Sequence, residues 1–299
     1  MAAPLDVRTK TRALLVRTDR ASGLTHTSPF VDSSTGRESR SIERGLVVAQ
    51  EAARAASVVL ARHRAGALVI EEKLGGEIVT AADVEADSVI RHMLGEAFPD
   101  DGLYTEETPD DGARHARRRV WIVDPIDATG DFVRGGNEHA VSIGLAVDGI
   151  AVLGVVYNPA TDELVCGGLG VGVTLNGAEV RTTATFAVAG ARIACSRKEL
   201  DRGLDRVSSH IAVTPVASMA YKLARVAAGL DDGAISEKAR GEWGSCAGVA
   251  LARAAGGVVT YLDGKAPRFN RIPGERPLGL IAAGPTLRPR LLEAFVAAR

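Results

Sequence analysis

Val120 to Val123 is a short apolar run of the kind that forms a buried strand, and it meets Asp124-Pro125, with Asp127 three residues after Asp124. Proline has no N–H to offer a sheet ladder, so the strand is predicted to stop at Asp124-Pro125 and turn. Two carboxylates held at the mouth of a buried strand repel each other unless a cation lies between them. Hard oxygen ligands suit Mg²⁺, which favours carboxylates together with water and phosphate oxygens. Taken alone, Asp-Pro-x-Asp also reads as an acidic turn that caps the next helix.

The rest of the 299 residues sets the frame. A hydrophobic fraction of 46% supports a real core, in one large or two modest domains. A formal net charge of −1 and 4% aromatic residues argue against a nucleic-acid surface. No window approaches the unbroken apolar length that spans a membrane. Cys166, Cys195 and Cys246 are odd in number and lack metal-type spacing, which predicts reduced, buried thiols and a cytoplasmic location. Residues 1–40 are rich in Ser, Thr and Arg and show no sustained period. They read as a flexible extension; the acidic residues among them argue against a transit peptide.

From Ile42 onward the spacing of Ile42, Leu46, Ala49, Ala53, Ala56 and Leu60 predicts an amphipathic helix, ended by Gly66. A second helix is predicted after Asp83, with Asp83 as its N-cap and Ala86, Ile90, Met93 and Ala97 on one face. Ala140–Val147, Ala151–Tyr157 and Glu163–Cys166 read as strands, the first two joined by an Asp148-Gly149 hairpin turn. After residue 185 strands and helices alternate: a strand at Ile193–Cys195, helices at Ser218–Ala228 and Ser245–Ala255, and a strand at Val258–Tyr261. Gly256-Gly257 supplies a C-cap for the last of these helices. A mixed sheet followed by alternation suggests an N-terminal α+β unit at 41–185 and a C-terminal α/β unit at 186–299, sharing a cleft.

Five segments in series resemble the inositol monophosphatase superfamily of Mg²⁺-dependent phosphatases, which includes the 3′(2′),5′-bisphosphate nucleotidases. They are Lys73 with Val79-Thr80-Ala81-Ala82-Asp83, Thr105-Glu106-Glu107-Thr108, and Asp124-Pro125-Ile126-Asp127-Ala128-Thr129. The Gly170–Gly177 turn comes next, and then Glu242-Trp243-Gly244-Ser245-Cys246-Ala247-Gly248 with Ala254-Ala255-Gly256-Gly257. The resemblance runs from about residue 42 to the end and implies a layered α-β-α-β-α sandwich. It also implies a small-molecule phosphate ester as substrate, two or three Mg²⁺ ions per site, and a monomer or homodimer with no nucleic-acid or membrane partner.

Hydrolysing a phosphomonoester dianion calls for cations that neutralise its oxygens and activate water, held by carboxylates from separate segments. Glu106, Asp124 and Asp127 supply the carboxylates, and the Ile126 carbonyl lies between the two aspartates. By the resemblance, Glu106, Asp124 and the Ile126 carbonyl hold the first ion, and Asp127 helps on the second. Asp83 and Thr129 pair to deprotonate the attacking water, and the N–H groups of Ala128 and Thr129 bind phosphate. For Glu106-Glu107 the plain alternative is a solvated acidic loop.

Three positions depart from the family pattern. Ala128 replaces a glycine, which strains the turn if φ is positive there. Gly130-Asp131 replaces Thr/Lys-Asn/Glu. Gly244 replaces the aspartate that binds the second metal, with Glu242 or Asp131 as candidate substitutes; a catalytically weakened binding relative is therefore the alternative to an active enzyme. Arg134–Glu138 and Ser196-Arg197 resemble the nucleotidases, and Arg197 could fork onto a second phosphate. Gly76–Thr80 resembles the inositol enzymes instead. A bisphosphate nucleotidase is the expected activity, with an inositol or sugar monophosphate phosphatase as the alternative.

Overall fold

The computed structural model describes residues 33–66, 69–72, 78–201, 211–238, 241–272 and 278–297. Lys73 and the first 32 residues lie outside them. The first helix, α1 (Ser33–Ala65), begins before the predicted boundary at residue 41 and stops ahead of Gly66. Ala49, Ala52, Ala53, Ala56 and Leu60 form its buried face. A hairpin of β1 (Ile70–Glu72) and β2 (Ile78–Thr80) leads into α2 (Ala81–Ala97). The N-cap of α2 is Thr80 and not the predicted Asp83. The Thr80 hydroxyl accepts from the Ala82 and Asp83 N–H groups, while the Asp83 carboxylate accepts from the Thr80 N–H. Val79-Thr80-Ala81-Ala82-Asp83 is a capping box, with Asp83 one turn inside the helix.

Seven strands form the first sheet, hydrogen-bonded in chain order: β3 (Gly102–Thr105), β4 (Arg119–Asp127), β5 (Ala140–Val147), β6 (Ile150–Asn158), β7 (Glu163–Gly168), β8 (Gly172–Leu175) and β9 (Ala178–Glu179). The short α3 (Thr129–Val133) links β4 to β5. Asp148 and Gly149 both take positive φ, +50° and +75°, the requirement of a type I′ hairpin between β5 and β6.

β4 does not stop at Pro125 as predicted. It pairs through Asp124 opposite Ser142 and resumes at Asp127 opposite Ala140, one residue out of step. This is a β-bulge, and Pro125 occupies the place where a missing N–H costs no ladder bond. The bulge puts Asp127 one residue out of the register that Asp124 still keeps.

The second sheet begins with β10 (Arg192–Cys195), α4 (Arg197–Leu200), β11 (Ala212–Pro215) and α5 (Met219–Ala227). It continues through β12 (Gly233–Lys238), α6 (Cys246–Ala254), β13 (Val258–Tyr261), β14 (Leu278–Ala283) and α7 (Leu287–Ala297). Its strand order is β11-β10-β12-β14-β13.

Alternation along β4 divides the core. Trp121 and Val123 face α1 and α2 together with Ile143, Leu145 and Leu153, while Val120 and Ile122 face α5 and α6. The latter helices also pack on Ala234 and Ala282 of the second sheet. Leu287, Leu291 and Phe295 of α7 cover its far face against Ile193, Ile235 and Ile281. The layers are α-β-α-β-α, as expected.

One close approach brings α6 onto the first sheet. Gly144 of β5 pairs with Gly154 of β6. A Cβ at Gly154 would lie 2.2 Å from the Ala247 carbonyl oxygen, and one at Gly144 would lie 2.7 Å from the Ala247 nitrogen. Two side-chain-free residues thus let α6 sit directly on the sheet, carrying Trp243-Gly244 over the end of β4. All three cysteines are buried and unbridged, and no described helix is long and apolar enough to cross a membrane.

Candidate active site

Four segments meet where β4 bulges. Glu106 follows β3, and its N–H donates to the Val123 carbonyl (3.1 Å), which sets it beside Asp124. Asp124 is 2% exposed, and one of its oxygens accepts from the Ile126 N–H at 3.1 Å. Burial first, then the charges of Glu106 and Asp127, a hydrogen bond to Glu106 and the charge of Asp83, push its carboxyl well above the usual range. A buried carboxylate among three others is the electrostatic setting that a divalent cation relieves.

Thr129 opens α3. Its hydroxyl lies 3.1 Å from Asp83 Oδ1 and 3.1 Å from the Ile126 carbonyl oxygen. The other Asp83 oxygen accepts from the Thr80 N–H (2.8 Å) and the Thr80 hydroxyl (2.7 Å). The capping box therefore fixes Asp83, 1% exposed, with Oδ1 turned to Thr129. Ala128 takes φ +78° and ψ 49° ahead of α3, so the turn does require the left-handed conformation that glycine adopts freely.

Asp127 is held from the second sheet's side. Its Oδ2 accepts from the Ser218 hydroxyl at 2.7 Å and from the Ala220 N–H at 2.6 Å. Ser218, fully buried, is also the N-cap of α5. The other oxygen, Oδ1, lies 3.5 Å from where a Cβ on Gly244 would stand, and Asp124 Oδ2 lies 3.7 Å from the same point. A side chain at 244 would enter the space between the two aspartates. The segment is pinned there by Ser142, opposite Asp124 in the ladder, whose hydroxyl donates to the Trp243 carbonyl at 3.0 Å.

Asp83, Glu106, Asp124, the Ile126 carbonyl, Asp127 and Thr129 are thus brought together as predicted. The expected substitutes for the missing aspartate are not. Glu242 accepts from the N–H groups of Asn270 (2.6 Å) and Arg271 (3.0 Å) and from the Arg271 guanidinium. Asp131 accepts from the Glu138 N–H at 2.7 Å. Both carboxylates hold loops. Arg197 is likewise committed, forking onto Glu138 with both contacts at 2.5 Å. Ser218 lies beyond the sequence reading: a serine before an apolar helical run signals an N-cap, but no spacing rule ties it to Asp127.

The donor set is all oxygen and suits a hard cation. Glu106, Asp124, the Ile126 carbonyl and Asp127 are the groups that would hold such an ion. Among the described residues no group of three or more His, Cys, Asp or Glu side chains forms a ready metal site. At this cleft Gly244 stands beside Asp124 and Asp127 without a side chain.

Residues 41–299 match the model of the inositol monophosphatase family. The chain belongs to that family. An inositol-1-monophosphatase of Mesorhizobium japonicum is 36% identical over 206 residues, covering 66% of this chain and 77% of that protein. A fructose-1,6-bisphosphatase/inositol-1-monophosphatase of Thermotoga maritima is 30% identical over 203 residues, 66% of this chain and 76% of that one. Among solved structures, the extragenic suppressor protein suhB of Bartonella henselae superposes with a TM-score of 0.73 at 30% identity, covering 83% of this chain and 96% of that one. Family members are metal-dependent hydrolases of phosphate monoesters, and this chain is a phosphatase of that kind.

Proposed function

We propose that the chain hydrolyses the phosphate monoester of a small polyol or sugar with Mg²⁺ as its metal, the cleft around Asp124 being the active site. The observation that carries this reading is the Asp83–Thr129–Ile126 relay, set within the same cluster as Glu106, Asp124 and Asp127. Glu106, Asp124 and the Ile126 carbonyl would hold the first ion, and Asp127 with Asp124 the second. A bound divalent cation neutralises phosphate oxygens and makes a water more acidic.

The chain's own groups do the rest. Asp83, locked by three contacts from Thr80 and Thr129, is the acceptor for the proton of the attacking water. Thr129 orients that water, because one hydroxyl can donate to a carboxylate and accept from water at once. The Ala128 and Thr129 N–H groups, at the start of α3, would bind the phosphate oxygens. The activities for which the relatives are named, inositol-1-monophosphate and fructose-1,6-bisphosphate hydrolysis, support a small ring or chain polyol as the leaving group. Cytoplasmic residence belongs to the same reading, supported by three unbridged cysteines.

The bisphosphate nucleotidase reading has less support, because the guanidinium expected to meet a second phosphate, that of Arg197, is bound to Glu138. Phosphate release from a panel of inositol, hexose and nucleotide esters, with and without Mg²⁺, tests the assignment. Asp124→Asn, nearly isosteric, should abolish the Mg²⁺-dependent release and leave the circular dichroism spectrum unchanged. A variant as active as wild type would place the active site elsewhere.

A further inference from the structure

The loop between α3 and β5 carries chemistry that the relay and the carboxylate cluster do not use. It carries Glu138 and Arg134, is braced by Asp131 of α3, and meets two further guanidiniums, Arg64 and Arg197. Two of the three are committed: Arg64 donates to the Gly136 carbonyl at 3.0 Å, and Arg197 forks onto Glu138. Arg134 is not. Its side chain is 70% exposed, and its ion pair within the described residues is 3.8 Å from Asp131 Oδ1, too long for a hydrogen bond. Such an exposed pair contributes little and is readily exchanged for a better anion.

Two glycines build the surroundings of this guanidinium. A Cβ at Gly130 would stand 3.4 Å from Arg134 Nη1, so the side chain lies back along α3 toward its start. That is the direction expected of a long side chain four residues further on. A Cβ at Gly136 would overlap the Asp131 carboxylate at 2.2–2.4 Å, so the buried Asp131 can brace the loop through the Glu138 N–H. Gly130 adjoins Thr129 of the relay, which puts the Arg134 guanidinium within roughly 9 Å of the Thr129 backbone by standard chain dimensions. That upper limit is within reach of a substituent on the leaving group.

We infer that Arg134, given room by Gly130, is a specificity-determining residue that takes a second phosphate on the substrate's leaving part. The planar fork of arginine matches a phosphate face bidentately, and its ion pair with Asp131 is too long to be a hydrogen bond. Asp131 lies close enough to weaken the attraction, and Arg64 of α1 and Arg197 of α4, which meet the same loop, offset it. The inference rests on the phosphatase reading above and adds the second anion to it.

The test compares a hexose 1,6-bisphosphate with its 1-phosphate, which differ only in the second phosphate. Arg134→Ala should raise KM for the bisphosphate about tenfold, and for the monophosphate by a factor of about three or less. Gly130→Thr, which crowds Nη1, should shift the same ratio in the same direction. Arg134→Lys should fall between wild type and Arg134→Ala. Equal rises for both esters would overturn the inference and leave Arg134 a support of the loop. Calorimetric titration of the bisphosphate in EDTA separates the two readings. Wild type should bind it at least several-fold more tightly than Arg134→Ala even if neither ester is turned over. Equal binding, or none to either protein, would refute the role of Arg134 independently of the phosphatase assignment.

Discussion

Ala128 holds a methyl group in backbone space that glycine occupies freely, at φ +78°. A left-handed non-glycine residue costs roughly 1–2 kcal/mol, and the entropy of an added glycine returns roughly 0.5–1 of that. Ala128→Gly should therefore stabilise the fold by about 0.5–1 kcal/mol in denaturant titration. A destabilised variant would mean that the turn relies on the methyl group. His139 is the second residue with a measurable signature. Burial first, then the nearby Arg64 charge, lowers its pKa to about 4; its ring meets Phe132 edge-on and its Nδ1 is buried without a partner. The folded state keeps this histidine neutral where the unfolded chain protonates it near 6.5. The unfolded state therefore binds the extra proton between about pH 6.5 and 4, and stability falls as pH falls through that window. Melting temperatures of wild type across this range should decline more steeply than those of His139→Leu. Parallel curves would contradict the assignment. At this scale the sequence is readable where side chains coordinate or cap. It is not readable for Arg197 and Glu242, because nothing in their spacing reveals partners that are distant in the chain.

Elements supply the geometry that single residues cannot. The β4 bulge shifts Asp127 by one residue against Asp124, the α2 capping box aims Asp83, and the N-terminus of α5 grips Asp127. Helix positions follow from periodicity and strand positions from short apolar runs, since helices cover both faces of the first sheet. The Pro125 bulge reads in sequence as a strand end, because a proline in an apolar run signals the loss of a ladder bond and not how the partner strand absorbs it. Asp83 reads as an N-cap because Thr80, three residues earlier, completes a box that either residue could have started. The α5 contact is invisible in the sequence, as it joins two sheets. It makes a prediction: Ser218→Ala removes a hydrogen bond to a charged group, worth about 1.5–3 kcal/mol, and a helix cap. The variant should melt lower and need several-fold more Mg²⁺ for half-maximal phosphate release, and calorimetry should show weaker Mg²⁺ binding. An unchanged metal dependence in a destabilised protein would reduce Ser218 to a cap.

The whole molecule assembles its active cleft at the junction of two sheets. The seven-stranded sheet brings the carboxylates on β3 and β4, and the five-stranded side contributes α5 and the segment before α6. Close packing of α6 over Gly144 and Gly154 then fixes where residue 244 falls. The layered order is legible from a mixed sheet followed by alternating elements, and from motifs kept in series. The direction in which position 244 points is a tertiary fact and emerges only with the fold. On the proposed reading that position would govern how well a second ion is held, since Glu242 and Asp131 are occupied elsewhere. Gly244 has no positive φ to preserve and nothing nearer than 3.5 Å to a new Cβ, so an aspartate fits there sterically. The decisive measurement is a Mg²⁺ titration of phosphate release, and of calorimetric metal binding, for wild type and Gly244→Asp. One added carboxylate should lower the half-saturating Mg²⁺ concentration about tenfold, equivalent to about 1.4 kcal/mol, and raise the rate at low metal. Identical metal dependence in the two proteins would contradict the account of a phosphatase cleft that lacks one ligand.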